Sequence, residues 1–130
     1  MQINISEVLA ELTAQFKEYE RALLANEPDV LIGLFWRDPR TVRYGVAENL
    51  YGPEEIAAYR KARAEQGGAP HRRTTRAVIT TYGRDFGTAN IEYVRTGSGK
   101  TGRQSQTWMR TPEGWRIVAA HVSLLVVEDR

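Results

Sequence analysis

Residues 104–123 read QSQTWMRTPEGWRIVAAHVS, and this stretch decides the fold. Apolar and polar residues alternate on both sides of Thr111-Pro112-Glu113-Gly114, whose composition is typical of a tight turn. The alternation predicts two long strands, at about 103–111 and 114–127. Because the connection between them is short, the two strands are expected to pair antiparallel.

The residues before this hairpin predict two further strands and three helices. Alternating stretches at about 72–82 and 86–96 are again separated by a short turn, which indicates another antiparallel pair. The other predicted elements are a helix at about 6–26 with Ser6 as its N-cap, a short helix Val30–Phe35 after Pro28, a short strand Thr41–Tyr44, and a helix at about 54–65 behind Pro53. This order predicts an α+β fold in which N-terminal helices pack against a curved, mainly antiparallel sheet with a central pocket.

Composition limits the possible classes of protein. The 130 residues are 42% hydrophobic and 26% charged, which is typical of one ordinary globular domain spanning 1–130. With 18 basic against 16 acidic residues, the charge is too even for a dedicated nucleic-acid binder. No apolar run approaches the roughly 20 residues of a membrane span, and the N-terminus does not resemble a signal peptide. We therefore expect a cytoplasmic protein that binds neither nucleic acid nor membrane.

Two biased residue types bear on the site. Cysteine is absent and only two histidines are present, which argues against a metal site, and no cofactor is expected. The 18 basic residues include only three lysines, at 17, 61 and 100, so fifteen are arginines. Arginine is favoured where a planar fork of donors must hold a carboxylate. The composition therefore favours a small anionic ligand.

The period of two in the last hairpin predicts which side chains share a face. Trp115 would lie on the same face as His121 and Ser123, and Gln106 on the same face as Trp108. If the tryptophans point inward, Gln106, Trp108, His121 and Ser123 all face the pocket and are candidate substrate-binding residues. The alternative for His121 is a buried, hydrogen-bonded core residue.

The opposite face of the last strand predicts self-association. It would carry the apolar residues Val118, Ala120, Val122 and Leu124. A monomer would expose this apolar surface to water, whereas a symmetric oligomer would bury it. A homodimer or a higher homo-oligomer is therefore expected.

Two basic clusters have an interpretation at the surface. Arg60 and Arg63 follow Ile56 at helical spacing, so their charged ends would lie near the mouth of the pocket if Ile56 is in the core. A solvated face is the preferred interpretation for both, because long cationic side chains commonly cover apolar surface. At the start of the strand 72–82, Arg72 and Arg73 would lie on opposite faces, at a rim or an interface.

Short motifs spread over most of the chain resemble a known family. They are Phe35-Trp36-x-Asp38, Thr41-x-Arg43-x-Gly45, Glu48-Asn-Leu-Tyr-Gly52, Ile56 with Tyr59-Arg60-x-x-Arg63, and the final hairpin. Together they are similar to the NTF2-like (SnoaL-like) superfamily and, within it, to the AtzH-like family, whose members are often associated with amidases in the breakdown of cyanuric acid and related ureido compounds. The resemblance implies a metal-independent small-molecule amidohydrolase that hydrolyses, or hydrolyses and decarboxylates, a carboxylated urea or related anionic amide.

The resemblance also implies roles for individual residues. Tyr19 and Arg43 occupy the positions of the family's catalytic residues, as a proton or hydrogen-bond donor and as a carboxylate clamp. The segment Ile91–Arg95 resembles the strand of kinase-association domains that carries a carboxylate-binding arginine, so Arg95, with Arg73, is a candidate substrate ligand. Where those domains have a second pocket arginine, this chain has Gln106.

Two structural alternatives and one functional alternative stay open from the sequence. Tyr19 lies on the apolar face of the first helix, so it is also a candidate core residue with a satisfied hydroxyl. Arg43 is also a candidate for an ion pair with Glu48 or Glu92. The alternative function is a non-catalytic NTF2-like binding or association domain whose arginine-lined pocket holds a carboxylate.

Overall fold

The computed structural model describes residues 1–126. In that part of the chain, three helices and two short strands precede four long strands. The helices are α1 (Ser6–Leu24), α2 (Pro28–Gly33) and α3 (Gly52–Glu65), and the strands are β1 (Val42–Tyr44), β2 (Asn49–Tyr51), β3 (Arg72–Tyr82), β4 (Phe86–Arg95), β5 (Thr101–Thr111) and β6 (Gly114–Leu124). The predicted α+β class is confirmed, and the order of the elements agrees with the prediction except for β2.

The six strands described form one mixed sheet in the order β2-β1-β6-β5-β4-β3. Strand β1 runs parallel to β6, and the other four neighbouring pairs are antiparallel. Strand β2 was not predicted, because three residues are too few to show an alternating pattern. Pairing of β1 with both β2 and β6 brings the loop between β1 and β2 to the open end of the hairpin β5–β6.

Helix α1 packs its apolar stripe against the inner face of the sheet. Its buried residues are Val8, Leu12, Phe16, Tyr19, Ala22 and Leu23. The predicted cap is wrong: Ser6 is already helical, Ile5 precedes it, and no side chain caps the first turn. Instead, Asn4 Oδ1 accepts a hydrogen bond from the backbone N–H of Thr81 at 2.8 Å, which ties the start of α1 to β3.

Two inward-facing glycines let the sheet curve closely around its contents. A Cβ atom at Gly87 would lie 2.3 Å from Cδ2 of Leu12 on α1. A Cβ atom at Gly102 would lie 2.1 Å from Cζ of Tyr93 on the neighbouring strand. Neither separation is possible between carbon atoms that are not bonded to each other. The curvature of the sheet therefore depends on the absence of side chains at these positions.

A β-bulge in β6 changes which residues face inward. Thr107 pairs with Ala119 and Trp108 pairs with Ile117, so Val118 is an extra residue without a partner on β5. In a bulge of this kind, two residues on one strand lie opposite one residue on its partner. From Ala119 onward, the alternation of the two faces is therefore reversed.

The reversal corrects two predictions about the last strand. Trp115 and Ile117 face the core as predicted, but beyond the bulge Ala120 and Val122 are buried while His121 is exposed. His121 and Ser123 therefore do not face the pocket. The predicted outer apolar face is also wrong, since Ala120 and Val122 belong to the interior.

The observed boundaries differ from the predicted ones by a few residues. Strand β6 ends at Leu124, and residue 127, where the predicted strand ended, lies outside the described residues. Helix α1 ends at Leu24 because the chain turns into a left-handed conformation at Asn26, with φ of 55°. Within residues 1–126 no helix is both long enough and apolar enough to cross a membrane. The single-domain prediction for 1–130 stays a prediction.

Candidate functional site

A cavity of about 260 Å³ opens between α1, α3, the β1–β2 loop and the inner face of the sheet. Its lining residues, among those described, are Tyr19, Leu23, Arg43, Val46, Ala47, Glu48, Tyr59, Arg60, Arg63, Ala69, Pro70, Arg72, Tyr93, Arg95, Gln104 and Val122. Five of these are arginines, and Glu48 is the one acid among them. This excess of positive charge gives the cavity the character of an anion site.

A larger cavity, of about 580 Å³, lies between α2, α3 and the β5–β6 turn. The charged residues described in its lining are two arginines, Arg37 and Arg116, and two acids, Glu54 and Glu113. Its charges therefore balance, and none of the predicted site residues lines it. Size alone would favour this cavity as the functional site, but the charge of the smaller cavity and the presence of Tyr19 in its wall favour the smaller one.

Arg43 is held by an ion pair. It points inward from β1, and its Nη1 donates a hydrogen bond to Glu48 Oε1 at 2.5 Å. The side chains are only 7% and 22% exposed, and the guanidinium carbon of Arg43 lies 4.8 Å from the centre of the Tyr59 ring. Glu48 can reach Arg43 because Gly45 has no side chain: a Cβ there would lie 1.8 Å from Glu48 Oε1. The ion-pair alternative for Arg43 is confirmed.

The environment of Glu48 holds its pKa below the ordinary value of 4.5. Burial acts to raise the pKa, but the hydrogen bond and charge of Arg43, helped by Tyr59 and the Ala47 amide, outweigh burial. Glu48 is therefore an ionised carboxylate throughout the neutral range.

This direction of shift predicts the pH dependence of stability. A carboxyl whose pKa is lower in the folded state stabilises the fold above its unfolded pKa and loses that contribution as pH falls through the folded value. The difference in unfolding free energy between the natural protein and Glu48→Gln should be largest near neutral pH. It should shrink as pH falls below 4.5. Urea titrations at several pH values measure this difference, and a gap that stays constant with pH would contradict the assignment.

Arg72 is also matched by an acid. Its Nη2 donates to Glu20 Oε1 at 2.6 Å and to Gln104 Oε1 at 3.0 Å. Gln104 Nε2 donates in turn to the same oxygen of Glu20 at 3.3 Å. The guanidinium carbon lies 4.3 Å from the centre of the Tyr93 ring. Arg72 is thus fixed at the cavity wall by a carboxylate, an amide and an aromatic ring.

Arg60 is buried without an acidic partner among the described residues. Only 5% of its surface is exposed, and its Nη2 donates to the Tyr19 hydroxyl oxygen at 2.5 Å. Burial lowers the pKa of Arg60; the nearby Tyr19 opposes this effect, and the charges of Arg43 and Arg72 add to it. Three buried guanidinium groups therefore lie around one cavity, and two of them have carboxylate partners.

The Arg60 contact also orients Tyr19. A guanidinium can only donate, so the Tyr19 oxygen must be the acceptor in this hydrogen bond. No described residue accepts a hydrogen bond from the Tyr19 hydroxyl. The hydroxyl hydrogen is therefore available to a ligand in the cavity that Tyr19 lines.

The structure brings three of the predicted site residues to this cavity: Tyr19, Arg43 and Arg95. Gln106 and Trp108 face inward but lie in the core beside the cavity, where Trp108 Nε1 donates to Gln106 Oε1 at 3.0 Å. Gln106 Nε2 has no partner among the described residues. Both residues are buried, and neither is among the residues that line the cavity.

Three predicted residues lie away from the cavity. His121 and Ser123 face outward because of the bulge at Val118. Arg73 is exposed and pairs with Val94 on the outer face of the sheet, opposite to Arg72. The predicted pocket roles of these three residues are therefore wrong in placement.

Several residues of the cavity wall were not predicted as site residues, among them Arg60, Arg72 and Glu48. Arg60 and Arg72 were interpreted as surface residues, and Glu48 only as a partner for Arg43. A signal for Arg60 was present: it follows Ile56 by four residues, and Ile56 is only 1% exposed, so both lie on the inward face of α3. Within residues 1–126, no three histidines, aspartates or glutamates cluster as metal ligands would.

The fold is that of an NTF2-like α+β protein. Helices and a curved sheet enclose a cavity, which in this chain is lined by arginines. The chain matches the AtzH-like family over residues 1–128 and belongs to that family. The resemblance identified from the sequence motifs is thereby confirmed. No match was found among curated proteins.

Solved structures support the assignment of the fold. The chain is 56% identical to a protein of unknown function from the DUF3225 family of Pectobacterium atrosepticum, with a TM-score of 0.90 over 95% of each chain. It is 44% identical to a cystatin-like fold protein from Burkholderia xenovorans, with a TM-score of 0.90 over 98% of this chain and 99% of that one. An NTF2-like superfamily protein from Salmonella enterica, 24% identical over 95% of each chain with a TM-score of 0.74, shares the fold.

Proposed function

We propose that the protein is a small-molecule amidohydrolase that acts on a carboxylated urea or a related anionic amide. The observation that supports this most strongly is the charge of the cavity, where five arginines and one glutamate are found among the described lining residues. Such a cavity favours a ligand with at least one carboxylate. Its volume of about 260 Å³ suits a small-molecule ligand.

The cavity residues suit hydrolysis of a C–N bond by water. The oxygen of water adds to the amide carbonyl carbon, the C–N bond breaks, and the departing nitrogen takes up a proton. The Tyr19 hydroxyl hydrogen has no acceptor among the described residues, so in this proposal Tyr19 donates it either to the oxyanion that develops or to the nitrogen that leaves. Glu48, ionised and partly exposed, is available to accept the proton released by water. A carbamate product then loses carbon dioxide.

One observation favours the alternative, a non-catalytic domain that binds a carboxylate. The described residues that line the cavity include no serine, threonine, cysteine, lysine or histidine. The described wall therefore lacks the aliphatic hydroxyl, thiol, amine and imidazole groups that commonly act as activated nucleophiles, and the proposed hydrolysis relies on attack by water. A binding domain needs the arginines alone.

Direct assay separates the two functions. The purified protein is incubated with carboxylated ureas, and release of ammonia and carbon dioxide is followed over time. An amidohydrolase releases product in proportion to protein concentration, and boiled protein provides the background rate. Binding of the same compounds without any product above background would favour the binding domain.

Assembly as a homodimer or a higher homo-oligomer is the second part of the proposed function. The outer face of the sheet, opposite α1, exposes large apolar side chains, among them Tyr51 at 52%, Val78 at 45% and Phe86 at 49%. A second copy of the chain would bury these side chains. We expect light scattering at micromolar concentration to give a mass of at least two chains. A monomeric mass would count against assembly.

A further inference from the structure

We propose that Arg60 is the residue that binds the ligand's carboxylate, and that the fold tolerates its unmatched charge for the sake of this binding. Arg43 has Glu48 as its partner and Arg72 has Glu20, with N–O separations of 2.5 and 2.6 Å. Arg60 has no acid among the described residues. The inference rests on the proposed function only in requiring that an anion enter this cavity.

The geometry around Arg60 leaves its donors free. A guanidinium has five N–H donors, and Arg60 uses one of its nitrogens in a hydrogen bond to a described residue, through Nη2 to Tyr19. Its buried Nε has no partner among the described residues, which is also true of the Nε atoms of Arg43 and Arg72, so the missing acid is what distinguishes Arg60. A carboxylate in the cavity could accept a hydrogen bond from the Nε of Arg60 and another from the hydroxyl of Tyr19. Tyr19 on α1 and Arg60 on α3 therefore form a preorganised site for a carboxylate.

The burial of Arg60 has an energetic consequence that a structural arginine would not have. A charge removed from water without an opposite charge disfavours the folded state. Arg43 and Arg72 lie close enough to add repulsion. Replacing Arg60 by an apolar side chain of similar length should therefore stabilise the empty protein while removing its ligand site. Such opposite changes in stability and binding are typical of residues retained for function.

The test uses the full chain with Arg60→Met, and Arg73→Met as the control for loss of one positive charge. Arg73 is exposed on the outer face of the sheet, away from the cavity. The probes are oxamate, a carboxylate with an amide, and oxamide, its neutral counterpart. Calorimetry measures affinity, and thermal melting with and without each probe measures stability.

We expect oxamate to bind the natural protein and to raise its melting temperature, and oxamide to do neither. Arg60→Met should lose about tenfold to hundredfold in oxamate affinity, as expected for loss of hydrogen bonds from a charged group. It should also melt at a higher temperature than the natural protein when no probe is present. Arg73→Met should stay within about threefold of the natural affinity, because an exposed charge on the opposite face of the sheet contributes little.

Several results would overturn the inference. Unchanged oxamate affinity in Arg60→Met would exclude Arg60 as the carboxylate ligand, even if hydrolysis of carboxylated ureas is intact. A lower melting temperature, or failure to fold, would show that Arg60 is structural. Arg60→Lys, which keeps the charge but loses the planar fork, then tests the binding role. Full oxamate affinity in that variant would exclude Arg60 as the carboxylate ligand. If the natural protein binds no oxamate and hydrolyses no carboxylated urea, both this inference and the proposed function fail.

Discussion

Tyr19→Phe is expected to lower the rate of carboxylated urea hydrolysis by about 10²- to 10⁴-fold, the usual contribution of a positioned proton donor. The variant keeps the ring that packs against Phe35, at a centroid separation of 6.4 Å, and loses only the hydroxyl. Arg60 loses its hydrogen-bond acceptor in the same step, so unfolding free energy should fall by no more than about 1.5–3 kcal/mol. Steady-state rates and urea unfolding curves measure the two quantities.

Tyr93→Phe provides the control for this prediction. Tyr93 lines the same cavity and lies beneath Arg72, and it is only 2% exposed. Its ring, not its hydroxyl, faces the Arg72 guanidinium, so the phenylalanine variant should keep most of the activity. Full activity in Tyr19→Phe would exclude Tyr19 as the donor and favour the binding-domain alternative. An equal loss in both variants would indicate a general disturbance of the cavity.

Arg43→Met is expected to destabilise the protein by about 3–5 kcal/mol, the range for breaking a buried ion pair. The loss should lie toward the lower end, because Glu48 keeps 22% of its side-chain surface in contact with water. The protein is destabilised because removal of the guanidinium leaves the Glu48 carboxylate without its partner in a largely dehydrated position. Urea unfolding at neutral pH gives the free energy.

The double variant Arg43→Met with Glu48→Gln distinguishes a lost pair from a lost side chain. If the unpaired carboxylate causes the instability, removing its charge should restore more than half of the lost free energy. Glu48 is proposed to accept the proton released by water, so the double variant should fold and yet hydrolyse carboxylated ureas poorly. A double variant as unstable as Arg43→Met would show that packing on Tyr59, not the ion pair, accounts for the loss.

Most of the fold could be predicted because its signals are local. The long strands from Arg72 onward alternate clearly and are separated by short turns, so their positions were predicted to within a few residues. The two errors of consequence came from features without a local signal. Strand β2 exists because β1 offers it a partner, and the bulge at Val118 exists because β5 and β6 are held in register on both sides of it.

The candidate site was predicted less completely than the fold. Tyr19, Arg43 and Arg95 were placed in one cavity from motifs, and the structure brings them to the same wall. His121 and Ser123 were assigned to that wall by strict alternation, which one extra residue in β6 invalidates. Whether an arginine on a helix is buried cannot be known from its own segment. The burial of Arg60 depends on where the sheet lies relative to α3.

Spacing along the chain predicted the α+β class and the order of the helices and long strands, composition showed the excess of arginine, and the resemblance of short motifs identified the AtzH-like family. Only the tertiary structure decided which arginines meet an acid. Arg43 finds Glu48 across a tight loop, and Arg72 finds Glu20 from a distant helix. Among the described residues, Arg60 donates a side-chain hydrogen bond only to the hydroxyl of Tyr19. The physical reason is that charge matching depends on distances of a few ångströms between segments far apart in the chain, and no local pattern encodes those distances.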